Sequence, residues 1–241
     1  MAGKKAGKWT RVFVEGYDLT TSSNAVAPSN AYAKVEMGGY TQDMSYLNGR
    51  GDGSIVLDGF FDDTTNLSHD AMKTLSSGDS TALVTVMIGD NATPTVGDVS
   101  YHLKGIQHIY DVTPDLNGAV AVHGEWGAKG DPLEYGVVLA DATITATGAQ
   151  SSYDGLAQTT AGGVGYFHIT GLSAGDTITI LIEDSANDST WATLITCTLD
   201  GTALDGERIE VSGTVDQYIR ASYTVTGSSI SFPIAVGFIR L

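Results

Sequence analysis

The sequence predicts a mainly β protein, in which an N-terminal β domain with one short helix precedes a C-terminal, jelly-roll-like β-sandwich. Three observations support this fold class. Asp outnumbers Glu by 21 to 7, and Asp favours turns whereas Glu favours helix surfaces. The 30 glycines, with only 5 prolines and no linker-like run, are typical of turns. Short β-branched or alternating segments recur about every dozen residues in the second half.

The first N-terminal elements are strands separated by a long polar segment. Residues 12–14 begin a strand, and residues 32–37 fit either a strand or a short helix. Residues 38–53 are polar and glycine-rich, which predicts a long loop or a hairpin arm, and so long a loop is usually functional. Residues 54–61 form the next predicted strand, which ends at the acidic pair of residues 62–63.

One helix is predicted in this half, and Gly78 is expected to end it. Ser68 is a candidate N-cap, and Asp70 suits the first turn of a helix. The apolar face consists of Ala71, Met72 and Leu75. Strands over residues 82–88, 99–110 and 119–126 complete the domain.

The pattern breaks around residues 129–132, where we place the domain boundary. The sequence therefore divides into a basic N-terminal arm (1–11), a β domain (12–130) and a C-terminal β-sandwich domain (131–241). The strands predicted for the last domain cover residues 137–139, 143–146, 165–169, 177–182, 193–198, 208–211, 217–225 and 231–239. In the last of these, four apolar residues alternate, as on one face of a half-buried strand.

The charge balance excludes several classes of function. The chain has 12 Lys and Arg against 28 Asp and Glu, a net charge of −16 and a pI of about 4.3. Nucleic-acid binders and proteins that dock on anionic membranes need clustered cations instead. A basic start without an apolar core after it is unlike a signal peptide, so we expect synthesis in a cytoplasm.

No motif in the sequence predicts an enzyme, a metal site or a cofactor site. Residues 171–175 match the nucleophile-elbow pattern around Ser173, but a strand rather than a helix follows, and no histidine occurs after His168. We therefore interpret this segment as a hairpin turn. The five histidines lack the i, i+4 spacing of a helical zinc pair, and the single Cys197 cannot form an intrachain disulfide.

The N-terminal domain resembles the tail-tube (major tail) proteins of long-tailed bacteriophages over about residues 8–128. The resemblance lies in the start Val12-Phe13-Val14-Glu15-Gly16-Tyr17-Asp18-Leu19 and in the element order. That order is strand, long glycine-rich hairpin, a strand ending in Leu57-Asp58-Gly59-Phe60-Phe61-Asp62-Asp63, helix, and three strands.

This resemblance implies a structural virion protein that is assembled in the bacterial host cytoplasm. Members of the family form stacked hexameric rings, build an inner β-barrel from neighbouring subunits and reach the next subunit with the long hairpin. The implied partners are further copies of the chain, the tape measure and the tail terminator. DNA passes through the tube without specific binding, and an acidic wall suits that role because it repels phosphates.

The C-terminal half resembles galactose-binding-like jelly rolls. The similarity lies in Glu183-Asp184-Ser185, Asn187-Asp188-Ser189-Thr190-Trp191 and Gln217-Tyr218-Ile219-Arg220-Ala221. In that fold the Trp and the Tyr-x-Arg segment belong to the scaffold, so the resemblance transfers no sugar site.

Two sets of functional residues follow from these interpretations. The subunit-contact candidates are the large side chains within the hairpin arm: Tyr40, Met44, Tyr46 and Leu47. The candidates for an acidic channel wall stand at the end of a strand: Asp58, Asp62 and Asp63. Two alternatives stay open, another virion component such as a capsid decoration or tail-tip protein, and a carbohydrate-binding β-sandwich module.

Overall fold

A computed structural model of the chain describes residue 5 and residues 7–36, 46–76, 80–90, 93–173 and 175–241. The N-terminal elements are β1 (Thr10–Val14), β2 (Tyr17–Asp18), β3 (Ser23–Glu36), β4 (Tyr46–Phe60), α1 (Ser68–Leu75), β5 (Thr81–Ile88), β6 (Val99–Thr113) and β7 (Ala121–Ala128). The C-terminal elements are β8 (Glu134–Ile144), β9 (Gly148–Ala149), β10 (Tyr153–Asp154), β11 (Gly163–Ile169), β12 (Thr177–Ser185), β13 (Ala192–Asp200), β14 (Asp205–Val211), β15 (Tyr218–Thr226) and β16 (Phe232–Arg240). The predicted mainly β fold is confirmed.

An 11-stranded sheet runs through both halves of the chain. Its main path is β14-β11-β16-β8-β6-β5-β1-β2, and β7, β4 and β3 branch from β6. The branch arises because β6 is long enough to serve two neighbours. Residues 99–102 pair with β8, whereas residues 105–113 pair with β7.

The N-terminal core lies between α1 and the strands that surround it. Trp126, Leu57 and Met72 are fully buried in it, together with apolar residues of β1, β5 and β6. The predicted helix is confirmed, but the capping role of Ser68 was wrong, because Leu67 holds the N-cap position. The Ser68 hydroxyl instead donates to the Phe60 carbonyl (2.9 Å) and accepts from the Asp62 N–H (3.0 Å), which ties the end of β4 to the helix.

The C-terminal half is the predicted β-sandwich. Strands β8, β16, β11 and β14 of the large sheet face a five-stranded sheet with the order β10-β15-β12-β13, in which β9 also pairs with β15. Side chains from both sheets, such as Phe167, Phe238 and Ile180, form one buried core. The prediction of a hairpin turn at residues 171–175 is wrong. β11 and β12 belong to different sheets, and this segment connects one sheet to the other. A crossing and a hairpin share the same local turn residues.

Strand β16 is buried on both faces rather than on one, which corrects the half-buried interpretation. Its alternating face enters the sandwich core, whereas Ala235 on the other face packs with Phe13, Met87 and Val138. Gly237 leaves room for His102, because a Cβ there would lie 2.2 Å from the imidazole Cε1. Small residues thus let the two halves approach closely, which alternation alone does not reveal.

Two large cores lie on either side of the boundary that we place at residues 129–132. Apart from Leu133, the N-terminal core uses residues before the boundary, and the sandwich core uses residues after it. Two smaller clusters mix the halves, one around Phe13 and one that joins Leu83 to Val164, Tyr166 and Ile239. No helix in the described ranges is long and apolar enough to cross a membrane.

Candidate functional site

The described part of the long polar segment, residues 46–53, lies in one arm of a hairpin. β3 and β4 pair antiparallel from Ser23↔Gly59 to Glu36↔Tyr46. Residues 32–36 are therefore strand rather than helix, and residues 46–53 are strand rather than loop. Residues 49, 51 and 53 are glycines with low β propensity, so pairing with β3 and not local preference makes this segment a strand.

The subunit-contact candidates lie on or beyond this hairpin. Tyr46 and Leu47 belong to the first residues of β4. Tyr40 and Met44 lie outside the described residues, as do the side chains of Tyr46 and Leu47. Their role in subunit contacts therefore stays a prediction.

Among the residues that the structure describes, strand β3 has one edge that pairs with no other strand. Its other edge pairs with β4, with two register shifts along the way. Pro28 has no backbone N–H and so interrupts the row of N–H donors along this strand, and proline in a sheet is typical of edge strands. Tyr32, with 48% of its surface exposed, lies further along the same strand. A long unpaired edge is a template for pairing with another chain.

One candidate of the acidic wall, Asp58, belongs to a row of ionisable residues across three strands. His123 of β7 pairs in register with Asp58 of β4 on one side and Asp111 of β6 on the other. The His123 Nδ1 lies 2.7 Å from the Asp58 Oδ1. Glu125 follows two residues along β7, on the same outward face. Asp111 and Glu125 were not predicted from the sequence, although the alternation of Val122, Gly124 and Trp126 into the core indicates this outward face.

Asp62 and Asp63 leave the sheet in the connection to α1, so the structure does not bring them into the row of Asp58. The Asp62 Oδ1 accepts the Thr64 N–H at 2.9 Å. Hydrogen bonds from Thr64 lower the pKa of Asp62 below its usual value. Asp63 is exposed.

The two halves meet at a buried polar junction, which consists of Gly16, Thr85, Ser100, His102 and His168. The Gly16 N–H donates to the His168 Nδ1 (3.3 Å), and the His168 Nε2 lies 2.8 Å from the Thr85 hydroxyl oxygen. That oxygen lies 3.0 Å from the His102 Nδ1, and the His102 Nε2 lies 2.7 Å from the Ser100 hydroxyl oxygen.

This chain of contacts assigns one tautomer to both histidines of the junction. Because the Gly16 N–H is a donor, the His168 Nδ1 is unprotonated and its Nε2–H donates to Thr85. The Thr85 hydroxyl then donates to the His102 Nδ1, and the His102 Nε2–H donates to Ser100. Burial lowers the pKa of each imidazole to about 3, so both are neutral near pH 7.

A buried ion pair stands beside the junction. Arg208 donates to both carboxylate oxygens of Glu134, from Nη2 at 2.8 Å and from Nε at 3.2 Å. The Tyr166 hydroxyl donates to the Glu134 Oε2 at 2.6 Å. Burial and the Glu134 charge raise the pKa of Tyr166 above its usual value. These groups satisfy one another, so the arrangement is a structural contact between β8, β11 and β14.

Cations of the basic start contact carboxylates of the body. The Lys5 Nζ lies 2.5 Å from the Asp98 Oδ1. Arg11 belongs to β1, where its Nη2 lies 2.8 Å from Asp18 and its Nη1 3.6 Å from Asp141. These contacts neutralise part of the cationic cluster that the sequence places at residues 1–11.

Two further kinds of site were considered, a metal site and a sugar-binding site at Trp191. Within the described ranges, no group of three or more His, Cys, Asp and Glu side chains is arranged to hold a metal ion. The Arg220 guanidinium lies 4.1 Å from the Trp191 ring centroid and donates to Glu183 at 2.8 Å. One face of the indole is therefore covered, where a sugar would stack.

Three solved structures illustrate what the chain is similar to. A chain in the virion of a native gene transfer agent particle matches with 16% identity and a TM-score of 0.45, covering 55% of this chain and 98% of that chain. A chain in the tail of an empty gene transfer agent particle, refined with C6 symmetry, matches with 17% identity and a TM-score of 0.44, with the same coverage. The SPP1 Dit protein, a hub of the adsorption apparatus in phages that infect Gram-positive bacteria, matches with 13% identity and a TM-score of 0.34, covering 95% of this chain and 98% of that chain.

No family model matches the chain, and no curated protein matches its sequence. At these TM-scores and identities, the likenesses to solved structures assign no function.

Proposed function

We propose that the chain is a structural virion protein, a tail-tube subunit that polymerises into stacked hexameric rings around an acidic conduit for DNA. The observation that carries this proposal is the unpaired edge of β3 on a long hairpin. Strand addition at such an edge satisfies the backbone groups of both chains, and a head-to-tail addition closes into a ring when the rotation allows it.

The charge of the outward face supports the conduit. Asp58, Asp111 and Glu125 share the face of the sheet that branches toward β3, and His123 is the basic residue between them. In a ring, each of these carboxylates is repeated once per subunit, so the negative potential adds where DNA would pass. The proposal therefore keeps Asp58 in the channel wall and adds Asp111 and Glu125 to it.

Deletion of residues 40–50 tests the role of the hairpin. Subunit contacts would bury Tyr40, Met44, Tyr46 and Leu47, and each such side chain contributes about 1.5–3 kcal/mol when fully buried. We expect the wild type to form filaments with a central hole in negative-stain microscopy and the deletion variant to remain in the supernatant after sedimentation. A second variant, in which a Gly/Ser segment of equal length replaces residues 40–50, keeps the chain length and removes only the side chains. It should also abolish polymer.

Polymer that persists in both variants would contradict the role of the hairpin. A wild type that stays monomeric at high concentration would contradict the tube itself and leave another virion component, such as a decoration or tail-tip protein, as the function to test.

A further inference from the structure

We propose that successive copies of the chain contact one another head to tail, with Leu116 of one copy seated in an apolar groove of the next. Leu116 lies in the turn between β6 and β7, and the groove lies beside the other end of β6. This inference rests on the proposed polymerisation and adds the surfaces by which one ring would stack on another.

The projecting part is a short, ordered turn with an exposed apolar tip. The Leu116 side chain is 97% exposed. The Asp115 Oδ1 accepts the Asn117 N–H at 3.0 Å, and the Asp115 carbonyl accepts the Gly118 N–H at 3.5 Å. Because the turn is already held in shape, binding costs little conformational entropy. A fully exposed leucine on an ordered turn is suited to insertion into a partner.

The receiving part is a groove of about 370 Å³ between β6, β8 and the edge of the small sheet. Val99 and Tyr135 form its open side, with 40% and 55% of their surfaces exposed. Tyr153 and Phe238 line it further in. The groove is large enough for a leucine side chain, and burying that side chain contributes about 1.5–3 kcal/mol.

Charge complementarity favours this turn as the occupant. Arg240 lines the groove, and its guanidinium is held by four backbone carbonyls, at 2.8 Å from Val215 and Asp216 and at 3.2 Å from Ala157 and Gln217. Among the described residues, no carboxylate oxygen forms a salt bridge with Arg240 within 4.0 Å. Asp115 stands directly before Leu116, so it would bring a negative charge to this cation.

The two surfaces stand at opposite ends of one strand. β6 runs from Val99, in the groove, to Thr113, which leads directly into the turn. At about 3.3 Å per residue the strand spans roughly 46 Å. A translation of this size along β6 brings the turn of one copy to the groove of the next, and a contact of this kind between different surfaces repeats without closing. Tilt of the strand shortens the axial repeat, which we therefore expect not to exceed roughly 50 Å.

Cysteine cross-linking between two variant chains tests the contact. We would mix Leu116→Cys with Tyr135→Cys, allow polymerisation and oxidise the thiols; the native Cys197 is buried. We expect disulfide-linked dimers in this mixture and none when Leu172→Cys replaces Leu116→Cys. Leu172 is a matched control because it is also an exposed leucine in a connection, at 53% exposure.

The variant Leu116→Asp supplies an independent readout. We expect at least a tenfold decrease in filament length with an unchanged melting temperature, whereas Leu172→Asp keeps the wild-type length. Because Leu116 contacts little of its own chain, a folding defect is not expected, and Leu116→Ser repeats the test with a smaller change.

The outcomes separate this contact from the proposed function. Filaments of normal length in Leu116→Asp, without cross-links in the mixture, would overturn the contact and leave the tube intact. Cross-linked pairs in the mixture of the two cysteine variants, together with a wild type that forms no tubes, would support the contact and count against the tube.

Discussion

Glu15 combines an unusual backbone conformation with a partly buried carboxyl group. Its φ of 46° lies in the left-handed region, and Gly16 beside it has a φ of 78°. The Glu15 Oε1 accepts the Leu83 N–H at 2.5 Å. Burial, with a smaller contribution from the Asp205 charge, raises the pKa of Glu15 to about 7, although the hydrogen bond from Leu83 opposes this. The folded protein therefore holds a proton here that the unfolded chain releases at lower pH.

Replacing Glu15 by Gln is expected to remove a pH dependence of stability. A pKa raised in the folded state stabilises the fold below the unfolded value, near 4.5, and this stabilisation is lost as the pH rises through about 7. Relative to Glu15→Gln, the wild type should lose on the order of 2–3 kcal/mol of unfolding free energy between pH 4.5 and pH 8. Urea denaturation across this range measures the difference.

The histidines of the junction make stability change with pH in the opposite direction, and they provide an internal control. Their pKa values of about 3 mean that the unfolded chain binds more protons below pH 6.5, so stability falls as the pH decreases from 6.5 toward 3. This acid loss should be the same in the wild type and in Glu15→Gln. Parallel curves for the two proteins from pH 4.5 to 8 would show that Glu15 does not titrate as described.

Few of these residue-scale features were predictable from the sequence. The sequence favours hydrogen-bonded structural roles for histidines on strands, and His102 and His168 fit that description. The partners of Glu15 could not be predicted, since both lie far from it along the chain. Leu83 comes near through the pairing of β1 with β5, and Asp205 belongs to β14, at the other end of the strand order.

At the scale of elements, the nitrogen at Pro28 indicates which donors of β3 face the open edge. Proline has no N–H, yet pairing continues on both sides, from Ala27↔Val56 to Ser29↔Ser54. The Pro28 nitrogen therefore faces away from β4. Nitrogen directions alternate along an antiparallel strand, and no register shift lies between Pro28 and Asn30, so the Asn30 N–H also faces the open edge.

The variant Asn30→Pro is expected to block strand addition while it leaves the hairpin intact. It removes a donor from the open edge and none from the ladder with β4. We expect a folded monomer by circular dichroism and a large loss of sedimentable polymer. The control Asn30→Ala removes the side chain but keeps the N–H, and it should polymerise normally. If Asn30→Pro polymerises like the control, the edge is not the site of assembly.

The elements that local patterns determine were predicted well, and those that depend on a partner were not. α1 has an apolar face at helical spacing, and the structure places it at Ser68–Leu75, ahead of the predicted stop at Gly78. β3 and the first half of β4 have weak strand signals, because their pairing with each other determines their structure. Likewise, the turn residues after β11 do not reveal to which sheet β12 belongs.

For the whole molecule, we expect no measurable binding of duplex DNA at about 0.15 M salt. Both halves of the chain after the basic start are acidic. Residues 12–128 carry 4 cations against 15 anions, and residues 129–241 carry 4 against 13. Lys5 and Arg11 are already paired with carboxylates. Charges separated by more than about 8 Å are screened at this salt concentration, so the cations left at the start attract phosphates weakly.

A gel shift at low ionic strength is the most demanding form of this test, because low salt strengthens any attraction. A variant that lacks residues 1–11 serves as the comparison. Tight, salt-sensitive binding by the full chain that disappears in this variant would identify a DNA-contacting role and remove the electrostatic support for a conduit.

The division of the chain into two halves was the hardest feature to interpret from the sequence. The composition break at residues 129–132 coincides with the gap between two cores, which is visible in local patterns. The contact between the halves is not visible there, because it depends on Gly237, on the buried histidines and on the pairing of β6 with β8. We therefore propose two domains in the sense of two separately packed cores, and we do not propose that either domain folds on its own.

The branch at β6 has a mechanical consequence. The backbone ladder from Val99↔Val137 to His102↔Glu134 carries the sheet across the boundary, so the connection between the cores is not a flexible tether. Bending one core against the other would require breaking these hydrogen bonds and separating the side chains around Phe13. We therefore expect the two cores to move together under a pull or a twist, a stiffness that would suit the tube subunit that we propose.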